Sequence, residues 1–266
     1  MSAGNLKITL VGGPTALLET SGLRLLTDPT FDPAGGEYTT GPVTLRKLSG
    51  PAVGLDAIGH IDAVLLSHDQ HFDNLDHAGR ALLAKADRVF TTPSGGGRLG
   101  GETMGLKPWE SARLSAPGGR TLRITATPGR HGPPGFEPLS GEVTGFVLAF
   151  DDRPNEVIYF SGDTVWFEGV EEVARRYKVT AIVLTMGAAT PVGPQPVTMT
   201  AADAIQTAQA FPQAVMVPVH FEGWAHFSEG ADDIRKAFAE AGLSHRLRLL
   251  KPGQSVTLAA FAAGAP

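Results

Sequence analysis

The chain has 266 residues, 42% of them hydrophobic and 18% charged, with a mean hydropathy of +0.01; this composition supports a packed core and excludes disorder. Its net charge of -5 and the lack of a dense Lys/Arg stripe argue against a surface built to neutralise nucleic-acid phosphates. With no cysteine, disulfides, thiolate metal sites and cysteine nucleophiles are excluded, so any metal must be held by His, Asp, Glu or Asn.

The N-terminal MSAGNLKITLVGG has no basic segment followed by a signal-length apolar run. No stretch reaches the roughly 18 apolar residues that a membrane span requires, and the expectation is a cytoplasmic chain. LKITLVG, TALLET and LRLLTD read as short strands separated by Gly-Gly-Pro and Ser-Gly. Residues 29–60 are rich in Pro and Gly, too long for an ordinary connection and therefore a candidate functional loop. DAVLLS forms the next strand, Leu75, Ala78, Leu82 and Leu83 recur at helical spacing, and RVFTT reads as another strand. PSGGGRLGG lacks the Lys-Ser/Thr of a nucleotide P-loop and reads as a turn, and SARLS offers serines without a Ser-His-acid context. Strands follow in TLRITATP, TGFVLAF and EVIYFSG, then a helix over FEGVEEVARRY and a strand in AIVLTMG. MGAATPVGPQPVTMTAADA is a long loop that could shape a pocket, with Thr200 capping the helix TAADAIQTAQAF. Strand AVMVPVH, helix ADDIRKAFAEAG and strand RLRLL close the chain. Strands clustered early and then alternating with helices predict sheet layers covered by helices. No linker or repeat divides residues 1–266, which are expected to form one domain.

The ionisable residues fall at strand ends. Asp28 ends LRLLTD, His68 to Asp73 follow DAVLLS, His131 follows TLRITATPGR, Asp163 ends EVIYFSGD and His220 ends AVMVPVH. Loops at the strand ends of a rigid sheet are where α/β proteins assemble sites, and imidazoles with carboxylates are the ligand set of a divalent metal. His60, His77 and His245 have no motif around them and read as structural or solvated residues.

These segments resemble the metallo-β-lactamase-fold hydrolases, in particular the branch containing L-ascorbate-6-phosphate lactonase and N-acyl-phosphatidylethanolamine-hydrolysing phospholipase D. GLRLLTDP is similar to the family's early Asp segment, LLSHDQHFDNLD to its HxHxDH segment, TPGRHGP to the third, YFSGDT to the fourth and VPVH to the last. The resemblance implies an α/β fold of the αββα four-layer type: two mixed β-sheets face to face with helices on the outer faces, and one or two divalent ions in a cleft at one edge. The HxHxDH segment departs from the pattern. Aligned from the helix start, Asp69, His71, Asp73 and Asn74 take its positions; aligned from the strand, His68 is kept at the cost of one extra residue. Both registers retain His71 and Asp73. Extended backbone would point Asp69 and His71 the same way, whereas a turn or bulge would bring His68 and His71 together. Asn74 is either a ligand or a helix N-cap.

By this resemblance a first metal would use His71, His131 and either His68 or Asp69, with Asp163 bridging. A second would use Asp73, Asp163 and His220, with Asn74 as a further candidate. Asp28 would orient a ligand histidine from behind, or else cap the turn before Pro29. Exchanging imidazole for amide and carboxylate oxygens hardens the ligand set, so zinc, the first expectation, is joined by manganese, iron and magnesium. The implied reaction is hydrolysis of a small ester, lactone or phosphoester by a metal-activated hydroxide, aimed by Asp73, with either a re-protonated water or a nearby histidine, His226 the candidate, protonating the leaving group. Trp224 either lines the same cleft or belongs to the core. The alternative is a metal-binding or ligand-sensing module of the same fold with weakened turnover. The expected partner is a small-molecule substrate, without nucleic acid or membrane span, and a homo-oligomer is left open.

Overall fold

The computed structural model describes residues 5–41 and 43–259. The first half of the chain runs β1 (Leu6–Gly12), β2 (Thr15–Thr20), β3 (Leu23–Thr27), the hairpin β4 (Glu37–Thr40) and β5 (Val43–Arg46), α1 (Leu55–Ile58), β6 (Ala63–Leu65), α2 (His77–Leu83), β7 (Val89–Thr91), α3 (Pro93–Leu99) and β8 (Thr103–Gly105). The second half runs β9 (Ser111–Ala116), β10 (Arg120–Pro128), α4 (Glu137–Ser140), β11 (Thr144–Phe150), β12 (Arg153–Phe160), α5 (Glu168–Arg176), β13 (Ala181–Thr185), α6 (Ala201–Ala210), β14 (Val215–Val219), α7 (Ala231–Glu240) and β15 (Ser255–Leu258). One seven-stranded sheet has the order β15-β1-β2-β3-β6-β7-β8, and a six-stranded sheet the order β14-β13-β12-β11-β10-β9. Each is mixed: the first is antiparallel up to β3 and parallel beyond it, the second parallel from β14 to β12 and antiparallel after.

Continuous apolar strands such as TGFVLAF, buried at every position but one, are what a sheet covered on both faces demands. Leu6, Ile8, Leu10 and Leu25 of the first sheet share one core with Ile124, Phe146, Leu148 and Phe160 of the second. Outside the first sheet, Leu26, Val64 and Leu66 pack with Ile58, Leu75 and Leu82. Outside the second, α5 contributes Val170 and Val173, α6 Ala204 and Ala208, and α7 Ile234 and Phe238. Each fully buried aliphatic side chain of this kind contributes about 1.5–3 kcal/mol. The result is the αββα arrangement of α/β class. Thr200 caps α6 in a reciprocal box with Asp203, worth about 1 kcal/mol, and Pro212 follows the helix end. Among the described residues no helix is long and apolar enough to cross a membrane.

Two expectations are corrected and a third gains detail. PSGGGRL is the helix α3, started by Thr92, whose side chain accepts from Gly95 N, with Pro93 in the first turn. RLRLL is no strand and pairs with the second sheet through an isolated Met216–Leu247 bridge, its leucines packing on the core; the terminal strand is β15, which closes the other sheet against β1. The 29–60 connection carries the β4–β5 hairpin. The hairpin's base is tied down where Lys47 pairs with buried Asp76 at 2.7 Å and bridges to Trp224.

Candidate metal centre

Five strand ends meet at one edge of the paired sheets: β3 leads to Asp28, β6 to the turn from Ser67 to Asn74, β10 to His131, β12 to Asp163 and β14 to His220. Two of these residues adopt backbone that L-residues seldom take, with φ of 61° at His220 and 25° at Asp28. Such strain persists where the surroundings fix it, commonly at functional sites. Gly162, with φ of 59°, precedes Asp163 where a Cβ would lie 2.8 Å from Ser67 Cβ; glycine is what lets β12 turn in beside the end of β6.

In the first group, His71 Nδ1 lies 2.8 Å from His68 Nε2 and 3.2 Å from His131 Nε2. The tautomers are assigned from the outer partners. Ser67 Oγ donates to Asp28 Oδ2 at 2.9 Å and so accepts from His68 Nδ1 at 2.9 Å, leaving His68 Nε2 a bare lone pair. His131 Nδ1 donates to the Val197 carbonyl at 2.8 Å, which leaves His131 Nε2 bare as well. One proton on His71 Nδ1 serves only one of these lone pairs, whereas a divalent cation serves all three nitrogens. Burial, helped by His71 and His131, pushes the His68 ring well below the usual imidazole range, and burial pushes His131 down to about 4. Both rings are therefore neutral at pH 7, the form that binds metal.

In the second group, Asp163 Oδ2 lies 3.7 Å from His220 Nε2 and 4.0 Å from His131 Nε2, between the two groups. Asp73 Oδ2 is 3.4 Å from His220 Nε2 and accepts from His226 Nε2 at 2.9 Å. Burial lowers the His220 imidazole, but Asp163 and Asp73 outweigh it and push the ring up to about 9. Burial raises Asp73, but the His220 and His226 imidazoles beside it outweigh that and hold the carboxyl well below the usual range. This is a pocket with surplus negative charge. Both oxygens of Asp163, Oδ1 of Asp73 and Nε2 of His220 are buried without a hydrogen-bond partner. Buried carboxylates of this kind are ordinarily paired or on a metal. The residues present thus fit divalent ions at His68, His71 and His131 and at Asp73, Asp163 and His220, two groups whose ligand atoms each lie within 4.8 Å of one another.

The other predicted residues are placed as follows. Asp69 stands apart from both groups, its carboxylate taking a fork from Arg98 at 2.9 and 2.5 Å. The chain turns after the strand, with Leu75 N donating to His71 O at 3.0 Å, and His68 rather than Asp69 meets His71. Asn74 donates from Nδ2 to Asp28 Oδ2 at 3.0 Å while its Oδ1 has no partner. It is not the helix cap, because α2 starts three residues later and Asp76 caps it by accepting from Gly79 N at 2.8 Å. Asp28 reaches His68 only through Ser67, and burial, then the charge of Asp163, push its carboxyl up to about 8. Trp224 packs with Tyr38 and Leu45 in a small core under the hairpin. His60, His77 and His245 belong to neither group. Sequence reasoning passes over Ser67, whose place beside His68 was the available signal, and over Arg98 and the Lys47–Asp76 pair, which had none.

A cleft of about 850 Å³, counting its open mouth, reaches His71, Asp73, His131 and His226. Its walls are apolar, with Val43 and Leu45 from the hairpin, Phe72, Phe136, Leu139 and Val197.

The family model described as Beta-lactamase superfamily domain matches residues 23–221, a span that contains every residue of both groups. The chain is 26% identical over 260 residues to the UPF0173 protein YddR of Bacillus subtilis strain 168, covering 95% of this chain and 100% of that one. It is 26% identical over 254 residues to the UPF0173 metal-dependent hydrolase PAE2160 of Pyrobaculum aerophilum, covering 93% and 98%. In fold it is similar to the isothiocyanate hydrolase from Delia radicum gut bacteria, with a TM-score of 0.80 at 24% identity over 94% of this chain and 98% of that one. A possible metal-dependent hydrolase from Veillonella parvula DSM 2008 gives a TM-score of 0.79 at 20% identity over 97% and 100%. Fold, strand-end chemistry and the matched span agree, and the chain belongs to the beta-lactamase superfamily domain family.

Proposed function

We propose that the substrate of this metal-dependent hydrolase is a small, uncharged ester or lactone. The observation that carries this reading is the lining of the cleft, which includes apolar walls and the site histidines but no Lys or Arg. A phosphoester brings negative charge, which proteins meet with Arg, Lys or clustered backbone donors. Of the chemistries of the lactonase and phospholipase branch, lactone opening suits this lining and a phosphate-bearing substrate does not.

In this reading His68, His71 and His131 hold one divalent ion and Asp73 and His220 a second, with Asp163 between them. The imidazole-rich group suits zinc; the group richer in oxygen admits manganese, iron or magnesium. Bound there, the ions supply Lewis acidity, which brings water ionisation toward neutral pH and polarises a carbonyl oxygen. Asp73, held ionised by its two histidines, accepts a hydrogen bond from the attacking water and aims it. As the new C–O bond forms, Asp73 takes the water's proton, with His226 Nε2 2.9 Å from its carboxylate. The acyl C–O bond then breaks as His226 delivers its Nε2 proton to the leaving oxygen, and the proton held on Asp73 passes to His226 and restores both groups. The apolar walls exclude bulk water and hold the rest of the substrate.

The test is a panel of neutral esters, lactones and phosphodiesters, offered to chelator-stripped protein restored with zinc, manganese, iron or magnesium in turn. An isothiocyanate belongs in the panel because the structural neighbour is named for one. Turnover of neutral esters or lactones above phosphodiesters is expected. Preference for phosphodiesters would refute the substrate class, and no turnover with any metal would favour the ligand-sensing alternative.

A further inference from the structure

Asp69 sits in the metal-binding turn between His68 and His71, yet it faces away from both groups. Its carboxylate, 4% exposed, receives Arg98 Nε at 2.9 Å and Nη2 at 2.5 Å. Its backbone carbonyl accepts from Arg80 Nη2 at 2.9 Å. Arg80 lies on α2 and Arg98 on α3, so both ends of this one residue are fastened to the two helices that flank the turn. The consequence is geometric. Extended backbone would place Asp69 beside His71; with Asp69 held back, His68 and His71, three apart, converge to 2.8 Å. Arg98 is 44% exposed, and exposed ion pairs contribute little to stability. A planar fork on a carboxylate instead fixes direction.

We infer that the Asp69–Arg98 pair sets the register of the metal-binding turn, so that Arg98 is a positioning residue that presents His68 and His71 to the first ion. This rests on reading His68, His71 and His131 as the holders of that ion. Partners standing behind metal ligands characteristically change affinity by about 10–100-fold when removed.

Cobalt(II) titration of the chelator-stripped full chain, followed by visible absorption, tests this without recourse to turnover. Arg98→Ala is expected to weaken, by about 10–100-fold, the binding step that His131→Ala abolishes. Asp69→Asn, which keeps the side-chain shape and carries the test should Arg98→Ala not fold, is expected to lose as much. The double variant is expected to fall no further than either single one. Arg88→Ala, which breaks the exposed pair with Glu102, serves as the control and should leave cobalt affinity unchanged. Unaltered affinity in both Arg98→Ala and Asp69→Asn, or additive losses in the double variant, would overturn the positioning role while the metal assignment stands. A wild-type chain that takes up no cobalt, or a His131→Ala variant with full uptake, would overturn the metal assignment and this inference with it.

Discussion

Asp73→Asn tests the chemistry most directly, because it keeps the side-chain volume and removes one charge. Asp73 Oδ2 accepts from His226 Nε2 at 2.9 Å and faces His220 Nε2 at 3.4 Å, so the substitution removes the anion that orients the first ring and balances the second. Loss of a positioned acid–base group costs at least about a hundredfold in turnover, which is about 2.7 kcal/mol at about 1.36 kcal/mol per tenfold. The first group is bound together through His71 Nδ1 without Asp73, so Asp73→Asn should fold and retain that ion. The assay is steady-state hydrolysis of the best neutral substrate, with metal content measured on the same preparation. His77→Ala is the companion. His77 is exposed at the start of α2, its ring 5.1 Å from Phe72 and 5.7 Å from Tyr38, and its loss should change turnover by less than about twofold, in the range of surface substitutions. Wild-type turnover in Asp73→Asn together with loss in His77→Ala would refute the placement of the chemistry.

The remaining predictions concern metal, pH and the buried ion pair. Elemental analysis of protein purified without added metal should find at least one transition metal per chain, lost on chelation and in His131→Ala or His220→Ala. Because the ions bind only the folded chain, chelator should lower the melting temperature, by the equivalent of about 2.7 kcal/mol where free metal stood at about 100 times Kd; an unchanged melting curve after verified metal loss would count against the site. The His131 ring is pushed down to about 4 from an ordinary 6.5, so the unfolded chain takes up the proton first. The contribution of His131 to the stability of the stripped protein, whole above about pH 6.5, should fall by about 3 kcal/mol as pH drops through about 4, and urea midpoints should find that share of the slope absent in His131→Asn. Lys47→Ala leaves Asp76 buried without its cation and should cost about 3–5 kcal/mol in denaturant unfolding. A loss below about 1 kcal/mol would mean that the backbone donors of Phe31, Asp32 and Gly79 suffice for the carboxylate, the range of an ordinary hydrogen bond.

What the sequence made legible was local. TGFVLAF is β11 residue for residue, since a buried strand and its apolar run are the same fact, and Thr200 announces α6 through its own capping chemistry. Asp28, His131, Asp163 and His220 could be read as a set because each sits at a strand end. What stayed hidden depends on contacts distant in the chain. Three glycines in PSGGGRL argue against a helix by propensity, but Gly96 faces β8 so closely that a Cβ would lie 2.7 Å from Gly105 N; here glycine serves close packing. That helix carries Arg98, so misreading it also hid the partner of Asp69 and kept the choice between His68 and Asp69 open. RLRLL has a strand's alternation but meets the β14 edge in a single isolated bridge, whereas the more polar SVTL pairs along β1; no local signal reports which edge will be paired along its length.

The costs of this fold are concentrated where the two sheets end. Asp28, Ala188 and His220 have positive φ, and Asp163 is 1% exposed with neither carboxylate oxygen paired. Four bare buried atoms, the two of Asp163 with Asp73 Oδ1 and His220 Nε2, at about 1–3 kcal/mol each, reach the scale of a domain's whole net stability of about 5–15 kcal/mol. Elsewhere the same chain satisfies a buried carboxylate fully: Asp76 accepts from Lys47 and from three backbone N–H groups. Asp76 is thus paired within the chain, whereas the oxygens of Asp163 are not. On the proposed reading, this bare carboxylate, beside imidazoles whose outer nitrogens are already committed to Ser67, Val197 and Met186, is completed by cations. The same reading has the fold gain stability from the ions on which its chemistry depends.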